Sequence, residues 1–272
     1  MINKNKYCYT VAMRSYIQII KTTVREYAAY RFNFLLWRFR MLLNTALIFF
    51  LWFSIYEGRS LFGSVNKAEM LSYILFSSFL SAFVMGTRTP EIASDINNGS
   101  IINMLLRPIS FFGFYFAKDL GDKLVNVSFS FVEILFLAYA FHAPLLVPQP
   151  SLLFFYFLIC GVIISFYINM LLSFIGFWTT EVWAPRFLFT MLVFFVSGTY
   201  FPLNLLPTTI YQLLLLTPFP YLYFIPTNLF IHKPDNFLVP QMVGALVWTV
   251  ALHFIARFVW RTGNKNFSFW GR

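Results

Sequence analysis

The chain has 272 residues, of which 59% are apolar and 11% charged, less than half the roughly 25% charged share of ordinary soluble domains. A soluble fold of this size cannot keep that much apolar surface from water, so composition excludes a soluble enzyme, a disordered regulator and a disulfide scaffold. It leaves a multi-span membrane protein. Lys and Arg number 20 against 10 Asp and Glu, a net charge of +10, which suits either a nucleic-acid partner or the topology of a membrane protein.

Residues 1–33 come first, as a cytoplasmic or interfacial segment. Tyr9, Met13, Tyr16, Ile20, Val24 and Tyr27 recur at helical spacing, with Arg14, Gln18, Lys21, Arg25 and Glu26 on the other sides. This pattern predicts an amphipathic basic helix lying in the membrane interface, or one packed on a partner in the cytoplasm. Eight basic side chains before the first apolar run are the wrong layout for a cleaved signal peptide.

Uncharged runs then place six spans, at about 37–56, 69–88, 119–141, 151–179, 184–200 and 236–257, in a membrane domain over 34–260 with a tail over 261–272. Arg38 and Arg40 are expected to snorkel from the start of the first span. Pro144, Pro148 and Pro150 divide the third span from the fourth. Pro202, Pro207, Pro218, Pro220 and Pro226 break the apolar stretch after the fifth, so Ile210 to Leu216 is expected to dip into the membrane and return under protein cover. With both termini cytoplasmic, 17 of the 20 Lys and Arg face inside, and only Arg59, Lys67 and Lys233 face outside. That asymmetry supports an even number of spans and makes the net charge an address rather than a nucleic-acid site.

The loop between spans two and three has the clearest local grammar. Thr89 is a suitable N-cap, Pro90 fits the first helical position, Glu91 sits in the first turn, and Asn98 with Gly99 supplies a left-handed stop. A short helix over 90–98 outside the bilayer is expected, then another over 100–107 ending before Pro108. Such a pair suggests a docking surface. Lys118 with Asp122 and Asp119 with Lys123 have the spacing of exposed helical ion pairs at the start of span three.

Glu133 lies inside that span, where an ionised carboxylate costs several kcal/mol. It is either a functional acid or a hydrogen-bonded packing residue. His253 is read as an interface residue. Cys8 and Cys160 form no disulfide framework, the three histidines are scattered, and no metal site is evident. The patterns G-x-x-x-x-G-K-[ST], H-E-x-x-H and G-x-S-x-G are absent from the sequence, so an energy source would sit on another chain.

Taken in order, these parts resemble the permease subunit of type 2 ABC exporters. Two segments carry the likeness: Gly99 to Ser110, GSIINMLLRPIS, and Ser197 to Pro207, SGTYFPLNLLP, with Pro218 and Phe219 following. The chain is most similar to the branch of short six-span permeases that pair with a second, similar permease. The resemblance implies an all-α polytopic fold with six transmembrane helices, an interfacial N-terminal helix, a cytoplasmic coupling helix and a re-entrant hairpin between spans five and six. It implies a non-enzymatic transport subunit in the cytoplasmic membrane of a bacterium, with both termini inside. Two such permeases, alike or different, would enclose a pathway, and a dimer of ABC ATPase subunits would bind ATP and Mg on their own chains, leaving no cofactor here. The coupling residues would be Pro90, Glu91, Asp95, Asn97 and Gly99, the pathway would include Glu133, and Phe201, Pro202 and Pro207 would belong to the outer gate. Two alternatives compete: an ion-coupled carrier or channel using Glu133, and a lipid-modifying membrane enzyme using Asp119 and Asp122.

Overall fold

The computed structural model describes residues 4–84, 88–232 and 239–266, with side chains from residue 13 to residue 265. The side chains of Cys8 and Tyr9, Lys233, which was expected to face outside, and the tail beyond residue 266 lie outside the described residues.

The described chain is almost entirely helical: α1 Lys4–Ala29, α2 Arg31–Ile55, α3 Lys67–Val84, α4 Pro90–Asn97, α5 Ile101–Leu105, α6 Phe111–Ala140, α7 Leu152–Phe174, α8 Trp183–Val196, α9 Thr208–Leu215, α10 Phe224–Ile231 and α11 Val239–Asn266. Two-residue strands, β1 Leu61–Phe62 and β2 Val65–Asn66, pair in a tight hairpin between α2 and α3. The loop expected there thus carries a small antiparallel ladder.

Five helices, α2, α3, α6, α7 and α11, are long and apolar enough to cross a membrane. The expected fifth span, α8, has only 14 residues, about 21 Å at 1.5 Å per residue, short of a roughly 30 Å hydrocarbon core. The proline-rich stretch forms two arms bent by 78°, Thr208–Leu215 and Phe219–Ile231, which bring the number of spans to six if counted as one crossing. The helix expected over Ile210 to Leu216 is α9. None of its residues is buried, whereas α10 is buried along most of its length.

Local sequence explains the long helices. Ser110 caps α6 by accepting the Gly113 amide at 3.1 Å, and Ser151 caps α7 by accepting the Phe154 amide at 3.2 Å. Each such cap is worth about 1 kcal/mol. Between them, the Pro144–Pro150 stretch has no regular secondary structure and ties to its neighbours, Leu146 N–H donating to Ser72 Oγ at 2.8 Å and Gln149 N–H to the Phe230 carbonyl at 2.8 Å.

Two cores result. The larger joins α2, α3, α7, α10 and α11 around Phe49, Met70, Tyr73, Phe157 and Tyr223. The smaller seats α4 and α5 on α6, α7 and α11 through Ile92, Ile96, Ile101, Phe111, Phe174 and Ala256, with Trp260 stacked on Phe111 at 3.8 Å.

Helix α1 packs on α6, so it has a partner within its own chain. Tyr16, Ile20 and Tyr27 of the expected apolar stripe turn inward with Thr23, which is 1% exposed, while Met13, Ile17 and Val24 point outward beside Lys21 and Arg25. The stripe is therefore split between a protein face and an open face. The docking is close at Gly121, where an added Cβ would lie 2.9 Å from Thr23 Cβ and 3.0 Å from the Ile20 carbonyl oxygen. Gly121→Leu should overpack this contact at a cost of about 1–3 kcal/mol. Limited trypsin digestion should then cut at Lys21 and Arg25 faster than in the wild type, with the fragments read by mass spectrometry.

Candidate functional site

Three clusters of polar residues interrupt this apolar framework. The first surrounds α4. Its inward positions, Ile92, Ala93 and Ile96, are buried, while Pro90, Ser94 and Asn98 are exposed. Gly99 has φ +76°, a left-handed backbone suited to glycine, and its N–H donates to the Ile96 carbonyl at 3.2 Å. The helix start differs from expectation. Thr89 has helical backbone angles and makes no side-chain cap. Its Oγ1 instead accepts from Arg186 Nη2 at 3.2 Å, and its carbonyl accepts from Ser173 Oγ at 2.7 Å. Arg186, at the foot of α8, also reaches Ser173 Oγ at 2.9 Å and Asn169 Oδ1 at 2.7 Å. Its guanidinium thus clasps the start of α4 to α7. At the end of α7, an added Cβ on Gly176 would meet the Ala93 backbone at 3.3 Å, so α4 sits directly on that turn.

The acidic residues of α4 bind inward. Glu91 pairs with Lys118 at 2.6 Å and with Arg88 at 2.9 Å. Asp95 accepts from Tyr115 OH at 2.8 Å and from Ser100 Oγ at 2.8 Å. Asn97 Nδ2 donates to the Thr180 carbonyl at 3.1 Å. Arg88 then spreads the network: it lies 3.5 Å from Glu26 and 3.6 Å from Asp122, and stacks over the Tyr27 ring at 4.7 Å. Tyr27 OH donates to Asp122 Oδ1. Burial, with the Asp122 carboxylate beside it, holds the Tyr27 hydroxyl well above the ordinary phenol value, so it stays a donor.

The pairs expected at the start of span three are reorganised by these contacts. Lys118 turns to Glu91 rather than to Asp122. Asp119 and Lys123 do pair, at 2.7 Å, but they are buried rather than exposed, at 0% and 6%. Desolvation at such a site opposes the Coulomb attraction, so this is not the weakly coupled surface pair that the spacing suggested.

The second cluster holds Glu133, about 10 Å short of the end of α6 at 1.5 Å per residue. Arg38 of α2 donates Nε–H to Glu133 Oε1 at 2.8 Å, and its Nη2 reaches Oε2 to complete a bidentate pair. Arg38 Nη1 is 3.4 Å from Asn126 Oδ1. Arg38 is buried rather than snorkelled, and it supplies the partner that the sequence left open for Glu133. The pair borders a cavity of about 110 Å³ lined also by Asn44, Thr45, Ser78, Ser130, Thr199 and Tyr200.

The third cluster is the broken backbone after α8. The Ser197 carbonyl accepts from the Phe224 amide at 3.1 Å, Gly198 from Tyr73 OH at 2.5 Å, Thr199 from Ser77 Oγ at 3.1 Å and Tyr200 from Trp52 Nε1 at 2.8 Å. Phe201 is half-buried, Pro202 buried and Pro207 exposed. Phe201 and Pro202 follow directly on Tyr200, which lines the cavity, and Pro207 precedes the exposed α9. His253 Nδ1 lies 2.6 Å from Tyr167 OH, and its side chain is half-buried between α11 and α7. No group of three or more potential metal ligands exists among the described residues.

Sequence reasoning missed Arg38, Arg88, Arg186, Tyr27 and Tyr115. Charge matching was the one signal within reach: a single acid inside a span calls for a base, and Arg38 and Arg40 are the bases inside the first expected span.

The helices and the clustered polar groups define an all-α, multi-pass membrane protein. Residues 42–271 match the family described as ABC-2 family transporter protein, and the chain belongs to that family. It is a permease subunit of the ABC-2 type, a membrane transport component. No curated protein matches the chain. The matched region begins beyond Arg38 and α1, so both lie outside it.

Removing one member of a largely buried ion pair typically costs about 3–5 kcal/mol. Arg38→Leu alone should destabilise the protein on that scale, whereas Arg38→Leu with Glu133→Leu should recover most of the loss. Thermal unfolding of the two variants in detergent checks this.

Proposed function

We propose that this chain forms one half of an ATP-driven export pathway, with ATP and Mg bound by a dimer of separate ABC ATPase subunits that dock on α4 from the cytoplasm. The observation that carries this reading is α4 itself: a short helix outside the long apolar helices, fixed from within by Ile92, Ala93 and Ile96 and showing Pro90, Ser94 and Asn98 to the outside. Asn97 stands at the edge of that face. Glu91 and Asp95 set the position of the helix rather than forming its outer contact, because both carboxylates are held by other residues of the chain. Gly99 ends the helix and gives the following turn its direction.

A push on α4 would travel two ways. Arg88 and Lys118 lead to α1 and α6, while Arg186 and the Gly176 contact lead to α7 and α8. A second permease, alike or different, completes the pathway. Glu133 belongs to its wall, and Phe201, Pro202 and Pro207 belong to the outer gate. Both termini lie on the cytoplasmic side of a bacterial cytoplasmic membrane, a reading supported by the 17 to 3 division of Lys and Arg. The outward Met13, Ile17 and Val24 of α1, flanked by Lys21 and Arg25, suit a seat in the membrane interface.

A carrier driven by an ion gradient is the second reading, favoured by the polar cavity around Glu133. The bidentate Arg38 contact weighs against it, because a proton-coupled acid must alternate between its charged and neutral forms, and the neutral form would leave the buried Arg38 guanidinium without its charge partner.

Ser94→Trp should block docking, lowering recovery of the co-expressed ATPase by about tenfold or more, equivalent to about 1.4 kcal/mol, with an unchanged melting temperature. Asp95→Ala should instead lower the melting temperature by leaving Tyr115 OH unpaired, at about 1–3 kcal/mol. Transport that ignores ATP and follows a proton gradient would overturn the first reading in favour of the second.

A further inference from the structure

The Arg38–Glu133 pair stands between two unlike spaces. On one side is the cavity of about 110 Å³, well above the roughly 10–15 Å³ that one water requires. On the other is an open apolar groove formed by Phe32, Leu36 and Phe39 of α2 and Phe129 of α6, and this groove shares Arg38, Leu42 and Glu133 with the cavity.

The two partners are not equally accessible. Arg38 is 7% exposed and its nitrogens are taken up by Glu133 and Asn126. Glu133 is 20% exposed, and each carboxylate oxygen keeps a lone pair for a further donor. Around it, Asn44, Thr45 and Ser130 line the cavity without a hydrogen bond to another described residue. Ser130 is buried, Thr45 half-buried and Asn44 exposed, and polar groups set among apolar helices need partners. A head that carries hydrogen-bond donors and positive charge meets the carboxylate, whereas an anionic head meets the same carboxylate and finds the guanidinium covered. The groove beside it has almost no polar lining and opens on the exposed side of α2, where Phe32, Leu35, Leu36 and Phe39 face outward. Water satisfies the cavity but not the groove, and a hydrocarbon chain satisfies the groove but not the cavity. One molecule with an ammonium head and a single apolar tail satisfies both.

We propose that the cavity behind Arg38 and Glu133 is a head-group site for a cationic amphipath admitted sideways from the bilayer, its tail lying in the groove of Phe32, Leu36, Phe39 and Phe129. This rests on the reading of Glu133 as part of a transport pathway and names the class of cargo that pathway takes.

The test is equilibrium binding of radiolabelled dodecylamine to the full chain in nanodiscs of zwitterionic lipid, with protein-free nanodiscs subtracted. The expected result is saturable binding, weakened about tenfold or more by Glu133→Gln, which removes one charge-assisted hydrogen bond. Unlabelled dodecylamine should compete, and dodecyl sulfate should not. Ser130→Leu, which fills the cavity while leaving the ion pair intact, should weaken binding as well and decides the matter if Glu133→Gln does not fold. Binding equal to that of protein-free nanodiscs, equal competition by dodecyl sulfate, or full affinity in a folded Ser130→Leu protein would overturn the proposal. The assay needs no ATPase, so its failure leaves the permease reading standing. Saturable binding by a chain that never recovers an ATPase partner would do the reverse.

Discussion

The architecture depends on satisfying backbone groups where the helix breaks in an apolar setting. An exposed peptide carbonyl in hydrocarbon costs several kcal/mol, and the chain leaves helical geometry directly after α8. Four successive carbonyls, from Ser197 to Tyr200, are met by Phe224, Tyr73, Ser77 and Trp52. These donors come from α2, α3 and the start of α10, so the break fixes the mutual positions of three elements that the sequence separates widely. The buried α10 and exposed α9 follow from it: the chain can turn back only where protein covers its backbone, and the arm left without that cover shows apolar side chains to the outside.

The end of the bundle that carries α4 obeys the opposite rule, with charge rather than backbone as the organiser. Arg88 is in contact with residues of α1, α4 and α6, while Arg186 gathers α7, α8 and the start of α4. The latter guanidinium is held by neutral oxygens, those of Thr89, Ser173 and Asn169. One of its acceptors lies near the C-terminal end of α7, where the helix dipole favours a cation. The short helix between these two clasps is thus gripped at both sides by side chains that reach far into the bundle.

What was legible in the sequence was local. Long uncharged runs marked the helices, Pro90 and Gly99 bounded α4, and the prolines around residue 210 foretold a break. All of these depend on neighbours within a few residues. The identity of each charge's partner was not legible, because it depends on where helices meet. Lys118 stands four residues from Asp122 yet turns to Glu91 of another helix. Thr89 has the right chemistry for a cap and is instead taken by Arg186. Val24 continued the apolar stripe of α1, but the close approach at Gly121 turned Thr23 to the protein and left Val24 facing out. Of the candidate site residues, those of α4 fall together, while Glu133 belongs to a separate cluster whose second member, Arg38, has a sequence position that suggests the interface instead.

Two of the contacts that join the first helices to α6, Tyr27 with Asp122 and Arg38 with Glu133, have the same separation of 95 residues along the chain. This gives synthesis a direction. Helix α2 is made long before α6 and carries its guanidinium unmatched until the later helix arrives. Because Arg38 precedes Glu133 in the chain, the base is available to the acid as soon as α6 pairs with α2, and the pair spares both charges an unpartnered place in the folded bundle. The early helices act, in effect, as the receiving half of a lock for a helix that has yet to be translated.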